Sequence, residues 1–175
     1  MTAPFEPAAD ALEPWPDTVA WRPVSPKLIT VELIARTIGV VVLLAALGVG
    51  WALWPHWLWP HWLWPTGMGV VVGYGIWRSV VTVRAVRAWG YAERDNDLLV
   101  RHGLLIRRLS IVPYARMQFV DVTAGPLERA FGLATVQLHT AAAASDAKVP
   151  GLPPAEASRL RDRLTALGED RAEGL

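Results

Sequence analysis

The chain of 175 residues contains no cysteine. Disulfides, iron–sulfur clusters, thiolate zinc sites and a cysteine nucleophile are thereby excluded. Charge is missing from one long stretch: the 41 residues from Thr37 to Trp77 include no Asp, Glu, Lys or Arg. Thr37, His56, His61, Thr66 and Tyr74 supply the polar content of that block. A bilayer core takes about 20 mostly apolar residues as helix, so the block is long enough to cross twice. Net charge is only +1, which gives no field to attract nucleic acid. Neither a Ser-His-Asp ordering nor a glycine-rich phosphate loop appears, and no acid–base pair stands beside a nucleophile. The chemistry points away from an enzyme, from a cofactor and from a small-molecule substrate.

What is present begins with a tail of residues 1–27, acidic and broken by six prolines. It reads as a disordered cytoplasmic tail, too long and too acidic at its start for a secretory signal. Trp21, Arg22 and Lys27 read as interface anchors. Residues 28–87 read as a transmembrane hairpin with spans near 33–54 and 62–83. Glu32 and Arg36, four apart, are expected to pair at the entry to the first span. Between the spans lies a tandem repeat, Trp54-Pro-His-Trp-Leu then Trp59-Pro-His-Trp-Leu, with tryptophans suited to a headgroup layer. His56 and His61 alone make an incomplete metal site, so no metal is assigned. Gly69 and Gly73 form a GxxxG match, expected at a close helix contact within or between chains; Ala46 and Gly50 offer the same spacing on the first span. The loop lacks Lys and Arg, whereas Arg22, Lys27, Arg36, Arg78, Arg84 and Arg87 flank the spans. Both termini are therefore expected in the cytoplasm, across a bacterial inner membrane.

From residue 88 the apolar period shortens to strand alternation. Strands are expected at Ala88–Arg94, Asp97–Arg101, Leu104–Val112, Met117–Thr123, Ala134–Ala141 and Ala147–Pro150. Tight turns fall at Asp95-Asn96 and His102-Gly103. Met117 and Phe119 share one face; Val136 and Leu138 share the inward face of the next strand. A helix from Pro154 to about Leu167 carries the stripe Ala157, Leu160, Leu164 and Leu167, with Gly168 as its stop and a frayed tail at 169–175. The class is α+β: a two-span hairpin, then an antiparallel sheet domain at 88–168 with one covering helix.

Three runs carry a resemblance: Val112-Pro-Tyr-Ala-Arg-Met-Gln-Phe-Val-Asp-Val122, Gly125-Pro-Leu-Glu-Arg-Ala-Phe-Gly-Leu-Ala-Thr-Val136 and Val149-Pro-Gly-Leu152. In that order, behind two spans, they resemble the bacterial pleckstrin-homology-like (YdbS-like) family. The resemblance implies a pleckstrin-like split barrel, for which six strands are in hand against the usual seven. Its motif residues Pro113, Tyr114, Arg116, Gln118, Asp121, Gly125, Pro126, Phe131 and Gly132 read as turn-shaping and backbone-bonding rather than catalytic. Eukaryotic pleckstrin domains bind inositol phosphates near the first hairpin; Asp95 and Asp97 there argue against that ligand. Arg84, Arg87, Arg101, Arg107 and Arg108 are the residues expected to meet an anionic bilayer surface. The function that follows is a membrane-anchored binding or scaffold protein, as a homo-oligomer or with other membrane proteins. The alternative is a small accessory subunit of a transporter or export system.

Overall fold

The computed structural model describes residues 19–53, 60, 62–140 and 146–173. The first eighteen residues, the Trp54–Trp59 segment with His56, and His61 lie outside the described residues, as does Ser145. The elements are β1 (Arg22–Pro23), α1 (Lys27–Leu53), α2 (Leu63–Arg87), β2 (Gly90–Glu93), β3 (Asp97–His102), β4 (Arg108–Pro113), a 3-10 turn (Tyr114–Arg116), β5 (Met117–Thr123), α3 (Pro126–Ala130), β6 (Ala134–Thr140), β7 (Ala147–Leu152) and α4 (Pro154–Glu173).

Both α1 and α2 are long and apolar enough to cross a membrane. Their hydroxyls are placed for that solvent: Thr37, Thr66, Ser79 and Thr82 each donate to the carbonyl four residues earlier, at 2.8 Å. The helices run antiparallel, with Gly75 against Val40 and Gly50 against the Trp64 ring. A Cβ at Gly75 would stand 3.0 Å from Val40, so this glycine permits the close approach. Gly69 and Gly73 are not in that seam: a Cβ on either meets nothing within 4 Å. The expected GxxxG contact within the hairpin is therefore replaced by one offset along α2. Glu32 and Arg36 form no ion pair with each other among the described residues. Both helices also outrun the expected spans. They continue without a break into the domain, α1 from Lys27 and α2 to Arg87.

The domain holds two antiparallel sheets, ordered β1-β2-β3-β4 and β5-β6-β7. The seventh strand comes from the segment assigned to a disordered tail: Arg22 pairs with Tyr91 and Pro23 with Gly90. Two residues with a proline show no strand periodicity, which is why alternation alone passes over β1. β5 contains a bulge between Met117 and Phe119. The extra residue resets the alternation, so Met117, Val120 and Val122 pack on the core while Phe119 is 57% exposed and stacks on His139 at 4.4 Å. The expected shared face of Met117 and Phe119 is corrected accordingly.

The main core joins Leu98, Val100, Val112 and Tyr114 of one sheet side to Val136, Leu138 and Val149 of the other. α4 closes it with Ala157, Leu160 and Leu164, all fully buried, and Leu167 partly so. The helix does not stop at Gly168 but runs to Glu173. A second core of Val24, Leu28, Val31, Val86 and Leu133, flanked by Leu127 and Phe131, locks the ends of α1 and α2 into the domain. Spans and domain are thus joined by packing as well as by chain.

Candidate functional site

One end of the four-stranded sheet receives everything that comes from the spans. β1 leads into α1, and α2 leads into β2 through Ala88 and Trp89. The register places Arg101 opposite Gly90, so β3 returns to this same end. Trp89 stacks on His102 at 4.8 Å. The β3–β4 turn, residues 103–107, therefore projects from the span end of the sheet. Gly103 makes it possible: its φ is +104°, and an added Cβ would overlap the Ile106 carbonyl. Leu104, Leu105 and Ile106 occupy the tip, with Leu105 96% and Ile106 68% exposed. Arg107 and Arg108 follow at once, both exposed.

A run of Leu-Leu-Ile ahead of Arg-Arg has the composition of a strand, and the sequence reading starts a strand at Leu104. The structure begins β4 at Arg108 and leaves the three apolar side chains in solvent. Three large aliphatic residues are exposed together at this turn, with basic residues beside them, outside both cores. The signal in the sequence was Gly103 followed by residues with no turn chemistry of their own.

The other expected membrane-contact residues divide. Arg84 and Arg87 are exposed in the last turn of α2, where they also complement the helix dipole. Arg101 is held inside the fold, its guanidinium 4.7 Å over the Trp21 ring. Burial, together with the charge of Arg108, pushes the His102 ring below its usual range. Glu93, Asp95 and Asp97 lie at the opposite end of the sheet, at the β2–β3 turn, where Arg94 pairs with Asp97 at 3.6 Å. The span end is basic and apolar, whereas the far turn carries Asp95 and Asp97 with Arg94 beside them.

Trp21 and Arg22, expected as interface anchors, belong to the domain. Arg22 lies 3.1 Å from Glu156 and 3.5 Å from Glu93. Arg159 bridges the same two carboxylates at 2.9 and 2.7 Å, and Arg163 reaches Glu93 at 3.2 Å. Tyr91 donates to Glu156 at 2.8 Å. Hydrogen bonds from Arg159 and then Tyr91 hold the Glu156 carboxyl down at about 2. This network fastens β1 and β2 to α4 as a clasp.

The motif residues are architectural where the structure gives them partners. Tyr114 is buried, and its hydroxyl donates to the Arg94 carbonyl at 2.9 Å, bracing the β2–β3 turn behind Pro113. The Gly125 N–H donates to Glu128 at 2.8 Å, Pro126 opens α3, and Glu128 accepts from the buried Thr135 hydroxyl at 2.9 Å. Gly132 takes a φ of +63°, which lets Phe131 and Leu133 turn into the socket around Leu28 and Val31. Arg116, Gln118 and Asp121 are exposed and make no side-chain hydrogen bond to a described residue, so the backbone-bonding role expected of Arg116 and Gln118 is not found. Among the described residues no group of three or more His, Asp or Glu is placed to hold a metal ion.

Residues 27–167 match the profile of the bacterial PH domain family. The UPF0699 transmembrane protein YdbS of Bacillus subtilis (strain 168) is 33% identical over 119 residues, covering 65% of this chain and 68% of that protein. No solved structure matches the chain. The family match starts at the first residue of α1 and ends on α4, taking in the helical hairpin and strands β2 to β7 but not β1. The chain is a membrane protein and belongs to the bacterial PH domain family.

Proposed function

We propose that the protein is a non-enzymatic binding or scaffold module of the bacterial plasma membrane, with both termini cytoplasmic and its PH-like domain clamped onto the inner leaflet. The observation that carries this reading is the exposed Leu104–Ile106 tip at the span end of the sheet. The α2 segment from Arg78 to Arg87 rises about 13 Å beyond the charge-free block. The headgroup layer takes up about 5–7 Å of that height. A five-residue turn reaching back from the sheet closes the remainder, putting Leu105 at the lipid surface with Arg107 and Arg108 among the phosphates. Each basic residue there contributes about 1 kcal/mol against an anionic leaflet. With one end of the domain fixed on lipid, the surface around Phe119 and His139 and the acidic β2–β3 turn are left for protein partners.

A photoreactive residue at position 105, and separately at position 119, in native membranes tests this. The reading requires phospholipid adducts from position 105 and a discrete protein adduct from position 119. Protein adducts alone from position 105 would make the tip a protein-docking surface and remove the clamp.

A second reading, an accessory subunit of a transporter or export system, draws on Gly69 and Gly73. They leave a bare strip on α2 that the hairpin does not cover, and such a strip suits another spanning helix. Co-purification of a defined transporter in mild detergent would favour it over self-association.

A further inference from the structure

The seam between α1 and α2 holds a groove of about 340 Å³, lined along its length by Val40, Leu43, Val71, Tyr74 and Gly75 and at the domain end by Arg36 and Arg78. Val40 touches Gly75 across the seam. Arg36 stands one helical turn from Val40 toward the domain, and Arg78 three residues from Gly75 in the same direction. The two guanidinium-bearing residues are therefore level with each other, one on each helix. They also bound the charge-free block from Thr37 to Trp77 on both helices, which fixes their depth at the edge of the hydrocarbon core. Among the described residues no carboxylate lines this groove. Arg36 makes no ion pair with Glu32, and its Nε is shielded from solvent without a hydrogen-bond partner among the described residues. A buried donor of this kind calls for an acceptor. The matching groove on the other side of the seam contains Arg36 but not Arg78, and its Thr37 and Ser79 hydroxyls already donate to backbone carbonyls.

We infer that this groove is a binding site for one anionic phospholipid, its headgroup phosphate bridged by Arg36 and Arg78 and an acyl chain lying along Val40, Leu43, Val71 and Tyr74. Paired arginines present planar donor forks that fit phosphate oxygens on two sides. Basic pockets between membrane helices on the anionic face of a bilayer have the chemistry for such headgroups. The apolar walls select a lipid over a soluble anion. The site is separate from the β3–β4 tip and is lined by spanning helices rather than by the domain.

The test uses the full chain in mild detergent, stripped of lipid and then exposed to phosphatidylglycerol, phosphatidylcholine or inorganic phosphate, with bound lipid counted by native mass spectrometry. The wild type is expected to retain about one phosphatidylglycerol with at least tenfold preference over phosphatidylcholine, and excess inorganic phosphate is not expected to displace it. Arg36→Gln with Arg78→Gln is expected to erase the preference. Arg116→Gln with Arg161→Gln removes the same charge from the exposed surface of the domain and is expected to keep it. Near-ultraviolet circular dichroism of each variant reports that the domain is still folded. Equal retention of the two lipids by the wild type would overturn the site. So would an unchanged preference in the Arg36/Arg78 variant, or an equal loss in the Arg116/Arg161 variant. Displacement by phosphate alone would show an anion site without a lipid groove, which also contradicts the inference.

Discussion

Gly151 is where a single hydrogen atom decides whether the spans and the domain fit. Its φ is +69°, and a Cβ there would come within 2.8 Å of the Leu28 side chain. Its carbonyl accepts the Ser25 N–H at 3.1 Å, so β7 and the start of α1 are in direct contact. Gly151→Ala is expected to cost about 1–2 kcal/mol in backbone conformation alone, and more from displacing Leu28. Limited proteolysis in detergent should show it as cleavage near residues 19–26 that the wild type resists. Glu156 gives a pH signature. Its carboxyl lies at about 2 in the fold against an ordinary 4.5. A depressed carboxylate stabilises the fold fully above the ordinary value, and that contribution is lost as pH falls toward the folded one. Thermal unfolding followed by near-ultraviolet dichroism should show wild type ahead of Glu156→Gln at pH 6, with the margin closing between about pH 4.5 and 2. A constant margin would mean that the clasp on β1 does not depend on this charge. Both residues sit in segments the sequence names, yet neither role was legible there. Gly151 shows its need only when Leu28, more than a hundred positions away, is placed against it. Glu156 looks like any acidic residue in a first helical turn.

At the scale of elements, what was legible follows from local chemistry, and what was not follows from contacts distant in the chain. β5 is found with its bounds intact, because seven alternating residues between a 3-10 turn and Gly125 leave little choice. The bulge inside it is invisible in sequence, and it moves Phe119 from the expected inner face to the surface. The stripe of α4 was read correctly because helical spacing alone picks out Ala157, Leu160 and Leu164. The spacing of Gly69 and Gly73 names a contact within or between chains, and inside the hairpin that place is taken by Gly75, which is the glycine α2 presents to α1. Gly75→Leu is expected to disrupt the hairpin, seen as loss of helical signal or aggregation in detergent, while Gly73→Leu leaves the monomer intact. Light scattering then adds a second reading: a smaller particle for Gly73→Leu than for wild type would place the bare strip at an interface between copies.

For the whole molecule, the arrangement is a helical hairpin whose ends are buried in the domain they carry. Leu28, Val31 and Val86 pack against Leu133 with Phe131 alongside, and each large apolar side chain so buried contributes up to about 1.5–3 kcal/mol. The domain is therefore held in a fixed pose, and a fixed pose is what gives its two ends different surroundings. The sequence shows the basic flanks and the charge-free loop, hence an orientation; it does not show which hairpin faces the bilayer. Single cysteines at Thr66 and Lys148 in intact cells should give labelling by an impermeant maleimide at position 66 and not at 148 if both termini are cytoplasmic. The reverse pattern would invert the topology. The pose itself is tested most directly by depth. With the full chain in anionic vesicles, an environment-sensitive fluorophore on Leu105→Cys and on Asp95→Cys is exposed to lipids brominated along their acyl chains. The account predicts blue-shifted, strongly quenched emission at position 105 and water-like, unquenched emission at position 95. Water-like emission at both positions would contradict it, and the β3–β4 tip would then face solvent or a protein rather than the bilayer.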